Sequence, residues 1–199
     1  MSVDTPFIPL TEIAVILDRS GSMNSIATDA IGGFNAFLAV QRREPGGEAR
    51  ISLVLFDDQY EVPLKSVPLA EAPDLTGTTY IPLGSTALLD AIGRTLKKMT
   101  SSFAARPAAR RPGRVIIPIL TDGEENASRH YSLPHAADLI SEKRAQGWEF
   151  VFLAANQDAF AAAGALNIPR EDAAAFTADA AGTKAVFQEM STRVAEKRR

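Results

Sequence analysis

Cysteine is absent from the 199 residues. With it go a disulfide frame, a thiolate metal site and a cysteine nucleophile, and such a chain suits a reducing compartment. Histidine is nearly absent as well. His130 and His135 are the two copies, five positions apart and without the H-E-x-x-H arrangement, so they read as surface or loop residues and not as zinc ligands. Basic excess is missing too: 21 Lys and Arg against 24 Asp and Glu leave a formal charge of −3. Binding to a phosphate backbone ordinarily leaves the opposite imprint, which sets nucleic acid aside as a partner. No apolar run approaches the roughly eighteen residues of a membrane span. The amino terminus "MSVDTPFIPLTEIAVILD" has no basic region, carries Asp4 and Glu12, and places two prolines before its apolar run, so it does not read as a signal peptide. Cytoplasmic residence is the expectation. Neither a phosphate-binding G-x-x-x-x-G-K-[ST] nor a helix-opening G-x-G-x-x-G occurs, and no internal repeat is visible.

What is there suffices for one core. With 46% hydrophobic and 23% charged residues, a chain of this length is expected to form a single domain over 1–199, its core at about 11–197. The runs "IAVIL" (13–17), "ISLVLF" (51–56), "VIIPIL" (115–120) and "EFVFLAA" (149–155) lack polar alternation, as strands buried on both faces do. Helical spacing lies between them. One stripe is Ile26, Ala30, Phe34, Phe37 and Leu38; a second is Leu88, Leu89, Ile92, Leu96 and Met99; a weaker one runs from about Leu133 to Arg144. A last helix near Thr183 to Lys197 puts Val186, Phe187, Met190 and Val194 on one face. Alternating strands and helices predict an α/β fold around a mostly parallel sheet. "YEVPLKSV" (60–67) alternates and tolerates Pro63 as an antiparallel edge strand would. Pro118 removes a ladder N–H inside a central strand, and a bulge there is the expected compromise. "FAARPAARRPGR" (103–114) reads as an exposed basic connection.

Ligands of open α/β sheets bind outside the carboxyl ends of the strands. Two polar clusters fall at such ends: Asp18, Ser20 and Ser22 after the first strand, and Thr121, Asp122 and Gly123 after the run ending at Leu120. The loop "TGTTYIPLGSTALLDAI" (76–92) would aim the Thr86 hydroxyl at the same rim. These are oxygen donors without thiolate or imidazole, a set that selects Mg²⁺, Mn²⁺ or Ca²⁺ over zinc or copper. Alternation in Asp18-x-Ser20-x-Ser22 turns every second side chain to one side. Two acids balance a divalent charge, and waters would complete the shell.

The pieces "DRSGSM", "LGSTALLDAI" and "LTDGEEN" together resemble the von Willebrand factor A domain family: its D-x-S-x-S motif, its loop threonine and its second aspartate motif, in that order. The resemblance covers roughly Glu12 to Ala155 by pattern. It implies a Rossmann-like, doubly wound, mostly parallel six-stranded sheet of order 3-2-1-4-5-6, one edge strand antiparallel, helices on both faces. It also implies a metal-ion-dependent adhesion site formed by Asp18, Ser20, Ser22, Thr86 and Asp122, holding Mg²⁺ (or Mn²⁺ or Ca²⁺), with a partner's Asp or Glu carboxylate as the last ligand. An AAA+ ATPase or a component of a stress-resistance complex is the partner that intracellular members of the family suggest. Movement of the terminal helix is a regulatory device that the family suggests.

Other charges near the rim have plainer readings. Glu124 and Glu125 read as a solvated loop, Asp57 and Asp58 likewise, and Arg19 either contacts a partner or packs beside the loop. The closing "EKRR" is explained by complementarity to the helix dipole. The leading expectation is therefore a metal-dependent protein-binding module and not an enzyme. The alternative is a Mg²⁺-dependent phosphohydrolase of haloacid-dehalogenase type, which needs Asp18 as nucleophile and an acid two residues later; Ser20 stands there instead.

Overall fold

The computed structural model describes residues 9–45, 47–155 and 158–199. Strands and helices alternate: β1 (Thr11–Asp18), α1 (Ala27–Arg43), β2 (Ala49–Phe56), β3 (Tyr60–Pro68), α2 (Leu88–Ala104), β4 (Arg114–Thr121), α3 (Leu133–Ala145), β5 (Trp148–Ala155), α4 (Ala159–Ala165), β6 (Ala173–Phe176) and α5 (Ala180–Arg198). The sheet order is β3-β2-β1-β4-β5-β6. Only the β2–β3 pair is antiparallel. This is the expected doubly wound sheet, with β1 and β4 adjacent at its centre.

The uninterrupted apolar runs are explained by burial on two faces. Along β1, Ile13, Val15 and Leu17 join one core with Phe34, Phe37 and Leu38 of α1 and Val186, Phe187, Met190 and Val194 of α5. Ala14 and Ile16 join the other, with Leu88, Leu89, Ile92, Leu96 and Met99 of α2 and Ile140 of α3. The expected stripes of α1, α2 and α5 are thus buried. At Gly33 the Phe187 ring of α5 lies against the α1 backbone: a Cβ there would lie 2.2 Å from a ring carbon of Phe187.

Three expectations change. Pro118 makes no bulge, since Ile13 pairs with Ile116 and Ile16 with Ile119, the same offset on either side, and β4 stays in continuous register with β5. The β1–β4 ladder skips the intervening rungs and the strand runs on in phase, because a missing donor removes a bond without adding a residue. Register shifts lie instead between β2 and β3. In the basic connection, Arg106 is only partly exposed and pairs with the buried Glu12 at 3.2 Å. In the closing "EKRR", Arg198 is 2% exposed and donates from Nη1 to the main-chain oxygen (2.6 Å) and Oε1 (3.1 Å) of Gln41 in α1. Its guanidinium ties α5 to α1, a tertiary role beyond dipole complementarity. Strand β6, "AAAF", and helix α4 gave no periodic signal. Among the described residues no helix is long and apolar enough to cross a membrane.

Candidate metal centre

The parallel register brings the two acid motifs together. Leu17 pairs with Leu120, so Asp18 and Thr121 leave the sheet side by side, and the Thr121 hydroxyl donates to Asp18 Oδ2 at 2.5 Å. Asp18 Oδ1 accepts the main-chain N–H of Ser20 at 2.6 Å, which folds the chain back over the strand end. The turn then places Ser20 Oγ 3.0 Å from Ser22 Oγ. Ser22 Oγ donates to Asp122 Oδ1 at 2.6 Å, across a hundred residues of sequence.

Thr86 comes from the loop ahead of α2. Asn126 holds it by accepting the Thr86 N–H on Oδ1 (2.9 Å) and donating its own N–H to the Thr86 carbonyl (3.0 Å). A methyl group at Gly123 would sit 3.1 Å from Thr86 Oγ1 and 3.4 Å from Ser22 Oγ. All five expected residues therefore converge at one rim. Asp18, Ser20, Thr86 and Asp122 are buried and Ser22 stands exposed at the mouth.

Burial perturbs both acids there. Burial pushes the Asp18 carboxyl up to about 6 against the opposing hydrogen bonds from Thr121 and Ser20, with repulsion from Asp122 adding to the rise. Burial also raises Asp122, and the Ser22 hydroxyl only partly offsets it. Asp90 in α2 is the contrast: burial raises it, but N–H donors from His130, Arg129 and Tyr131 carry it below the ordinary carboxylate range. The nearest cation by sequence, Arg19, is turned away. Its Nη2 donates to Glu61 at 2.8 Å, and its Nε lies 3.1 Å from Asp57 Oδ2 as an ion pair without hydrogen-bond alignment. Among the described residues no group of three or more His, Cys, Asp and Glu could hold a metal ion, so a cation held here is held by two carboxylates and hydroxyls. That donor chemistry fits a hard divalent ion.

Supporting residues escaped the sequence. Tyr80 is buried and its hydroxyl donates to the Asp18 carbonyl at 2.6 Å, so burial drives its own proton loss far upward. Nothing in "TGTTYIPLG" marks it as a ligand-loop anchor. Glu125 is not a solvated charge. It accepts the N–H groups of Leu89 (2.9 Å), Ala127 (3.0 Å) and Ser128 (2.7 Å), capping the start of α2 and fixing the loop behind Asp122. Glu124 is exposed, and so are both histidines. Asp57 is buried against Arg19. Gly84, at φ +71, lets its carbonyl accept the Gly21 N–H at 3.0 Å where a Cβ would lie 2.6 Å from an Asp58 oxygen.

No family model and no curated protein matches the sequence. Solved structures match in fold. The vWF domain of the type V pili tip protein Mfa5 from Porphyromonas gingivalis aligns with a TM-score of 0.63 over 94% of this chain and 96% of that one, at 12% identity. Manganese-loaded TRAP protein from Plasmodium vivax aligns with a TM-score of 0.61 over 92% of this chain and 74% of that one, at 15% identity. Proximal thread matrix protein 1 from the mussel byssus, with a zinc-occupied MIDAS motif, aligns with a TM-score of 0.59 over 94% of this chain, at 18% identity. This chain spans 46% of the mussel protein.

Proposed function

The chain has a von Willebrand factor A-type fold, and from its oxygen-lined rim we propose that it is a divalent-metal-dependent protein-binding module. Asp18, Ser20, Ser22, Thr86 and Asp122 would hold Mg²⁺ (or Mn²⁺ or Ca²⁺), some of them through water, and a partner's Asp or Glu would supply the last ligand. The observation that carries this reading is the pair of buried carboxylates, Asp18 and Asp122, joined through hydroxyls while the neighbouring Arg19 serves Asp57 and Glu61. A metal bridging two carboxylates and hydroxyls held in this way would keep one side open for an anion. Beside it the Leu83 N–H donates to the Arg19 carbonyl at 2.9 Å. That anchor holds a loop on which Ile81 and Leu83 are 57% and 70% exposed, apolar surface of the kind that protein interfaces use. A cytoplasmic setting and an AAA+ ATPase or stress-resistance component as partner belong to the same proposal.

The phosphohydrolase reading is weaker. Ser20 Oγ packs 3.0 Å from Ser22 Oγ, and a serine hydroxyl lacks the titrating carboxyl that protonates a leaving group in that mechanism. Calorimetric titration of Mg²⁺ and Mn²⁺ into the wild type and Asp18→Ala tests the metal site. A pull-down of both forms with Mg²⁺ or chelator tests the interaction. Metal binding that survives Asp18→Ala, or partner capture indifferent to chelator, would sink the proposal; phosphatase turnover lost in Asp18→Asn would replace it with the alternative.

A further inference from the structure

A cavity on the α2 side of the sheet runs from Tyr60, two strands across from Asp18, down to Glu12 and Ser66 at the other end of the strands. Strands β2 and β3 extend beyond the cover of α2, and a cleft of about 840 Å³ opens between that helix and the edge of the sheet. Such a volume falls within the range of small-molecule sites, roughly 300–1,000 Å³. Its floor is apolar: Val54 and Met99 are buried, and Val62 and Tyr60 are partly so. Its lining also holds Lys65, Lys98 and Arg106. In a chain of net charge −3, this concentration of positive charge is a local feature and not a reflection of composition.

The geometry around these cations is specific. The register shifts of β2–β3 let Leu64 enter the α1-side core while Lys65 and Ser66 line the cleft. Ser66 adopts φ 48, a left-handed conformation uncommon outside glycine. It is held there on every side: its N–H donates to Ser52 Oγ (2.9 Å), its hydroxyl donates to Glu12 Oε2 (3.0 Å), and Arg50 Nε donates to its carbonyl (2.8 Å). Arg106 closes the group by donating to Glu12 Oε2 and Ser66 Oγ, both at 3.2 Å. Among the described residues lining the cleft the one acid, Glu12, is thereby matched to one cation. Lys98 Nζ stands 4.3 Å from the centre of the Tyr60 ring. Among the described residues neither Lys65 nor Lys98 has an ion pair.

We infer that this cleft binds a phosphate-bearing small molecule of nucleoside-monophosphate size, its ring on the Tyr60, Val62 and Met99 floor and its phosphate between Lys65 and Lys98. An apolar floor with an aromatic edge takes a planar ring. Two lysines without carboxylate partners take a dianion, and Lys98 exchanges its cation–π contact with Tyr60 for the phosphate. The site is independent of the metal rim and of the function proposed for it.

The test uses AMP, adenosine and inorganic phosphate in the presence of chelator, with affinity measured by calorimetry and by ligand-observed NMR. AMP should bind saturably, and adenosine and phosphate at least tenfold more weakly. Lys65→Ala/Lys98→Ala, at two exposed positions that leave the core untouched, should weaken AMP at least tenfold with unchanged melting temperature. Tyr60→Leu should weaken AMP and leave the response to phosphate alone unaltered. Asp18→Asn should bind AMP as the wild type does. The inference is overturned by any of four results: no saturable AMP binding, phosphate binding as tightly as AMP, loss of AMP binding in Asp18→Asn, or a short RNA binding tenfold more tightly than AMP at the same cleft.

Discussion

Replacing Asp18 by Asn should stabilise the metal-free protein. The folded Asp18 carboxyl keeps its proton up to about 6, whereas its ordinary value is 3.8. Between those values the folded state binds more protons than the unfolded one, so stability falls as pH rises through that window. Above it the cost levels off at about 3 kcal/mol, from roughly two pKa units at 1.36 kcal/mol each. Asparagine removes that cost and keeps the contacts. Its Oδ1 can still accept the Ser20 N–H. Its Nδ2 meets Thr121 Oγ1, which can turn its proton to the Gly123 carbonyl 3.1 Å away and accept instead. For a domain of this size about 3 kcal/mol corresponds to a rise in Tm of about 6–12 °C. The assay is calorimetric or fluorescence melting of both forms in chelator, from pH 4 to pH 8. The gap should be widest above pH 6.5 and close towards pH 4. Magnesium should reverse the order, because ligand at a thousand times its Kd stabilises the wild type by about 4.1 kcal/mol and leaves the variant unchanged. A variant that melts below the wild type in chelator at pH 7.5, with the same pH profile, would refute the claim that Asp18 is a buried charge waiting for a cation.

Other perturbations separate ligation from architecture. Thr86→Val removes one candidate ligand without disturbing the backbone bonds to Asn126, so Mg²⁺ affinity by calorimetry should drop about tenfold or more, on the scale of about 1.4 kcal/mol or more, while Tm in chelator stays within a degree or two. Mg²⁺ affinity should fall as pH drops through about 6, since protons compete for Asp18, and a flat affinity from pH 5 to pH 8 would contradict this. Gly33→Ala drives a methyl into the Phe187 ring and should cost about 1–3 kcal/mol in denaturant melts by overpacking. Arg198→Ala leaves the Gln41 carbonyl and side chain without their donor and should cost about 1–3 kcal/mol, with the α5 amides losing most of their protection from hydrogen exchange.

The sequence was legible where one force dominated. Strands buried on two faces cannot alternate, so β1, β2, β4 and β5 stood out as unbroken apolar runs, and the amphipathic stripes of α1, α2 and α5 coincide with their buried faces. The site residues were legible because parallel strands deliver their carboxyl ends to one rim: the D-x-S-x-S spacing fixed one half, and the "LTDG" run fixed the other. What stayed hidden depended on contacts distant in sequence. "AAAF" has no strand pattern of its own, and β6 exists because it pairs with Phe152–Ala155 of β5. Arg198 looks like a solvated tail residue until Gln41 receives it. Glu125 looks like a loop charge until the start of α2 lies against it.

The same distinction explains why these charges do different work. Glu125, Asp90 and Arg198 were misread or unread in the sequence because their partners are supplied by distant parts of the fold, by main-chain N–H groups for the two acids and by Gln41 for Arg198 Nη1, and each therefore acts as a structural tie. Asp18 and Asp122 were read from their own motifs, and they are acids at the rim whose pKa values burial raises. A buried carboxylate that the fold neutralises stabilises it, whereas one left charged is costly unless something arrives from solution. By that criterion the rim is the place where the chain gives up stability for binding. The Arg19–Asp57–Glu61 group beside it has the opposite task, since it holds the guanidinium next in sequence away from the carboxylates that are proposed to bind a metal. Releasing Arg19 by Asp57→Asn/Glu61→Gln should then lower Mg²⁺ affinity even though neither residue is a candidate ligand.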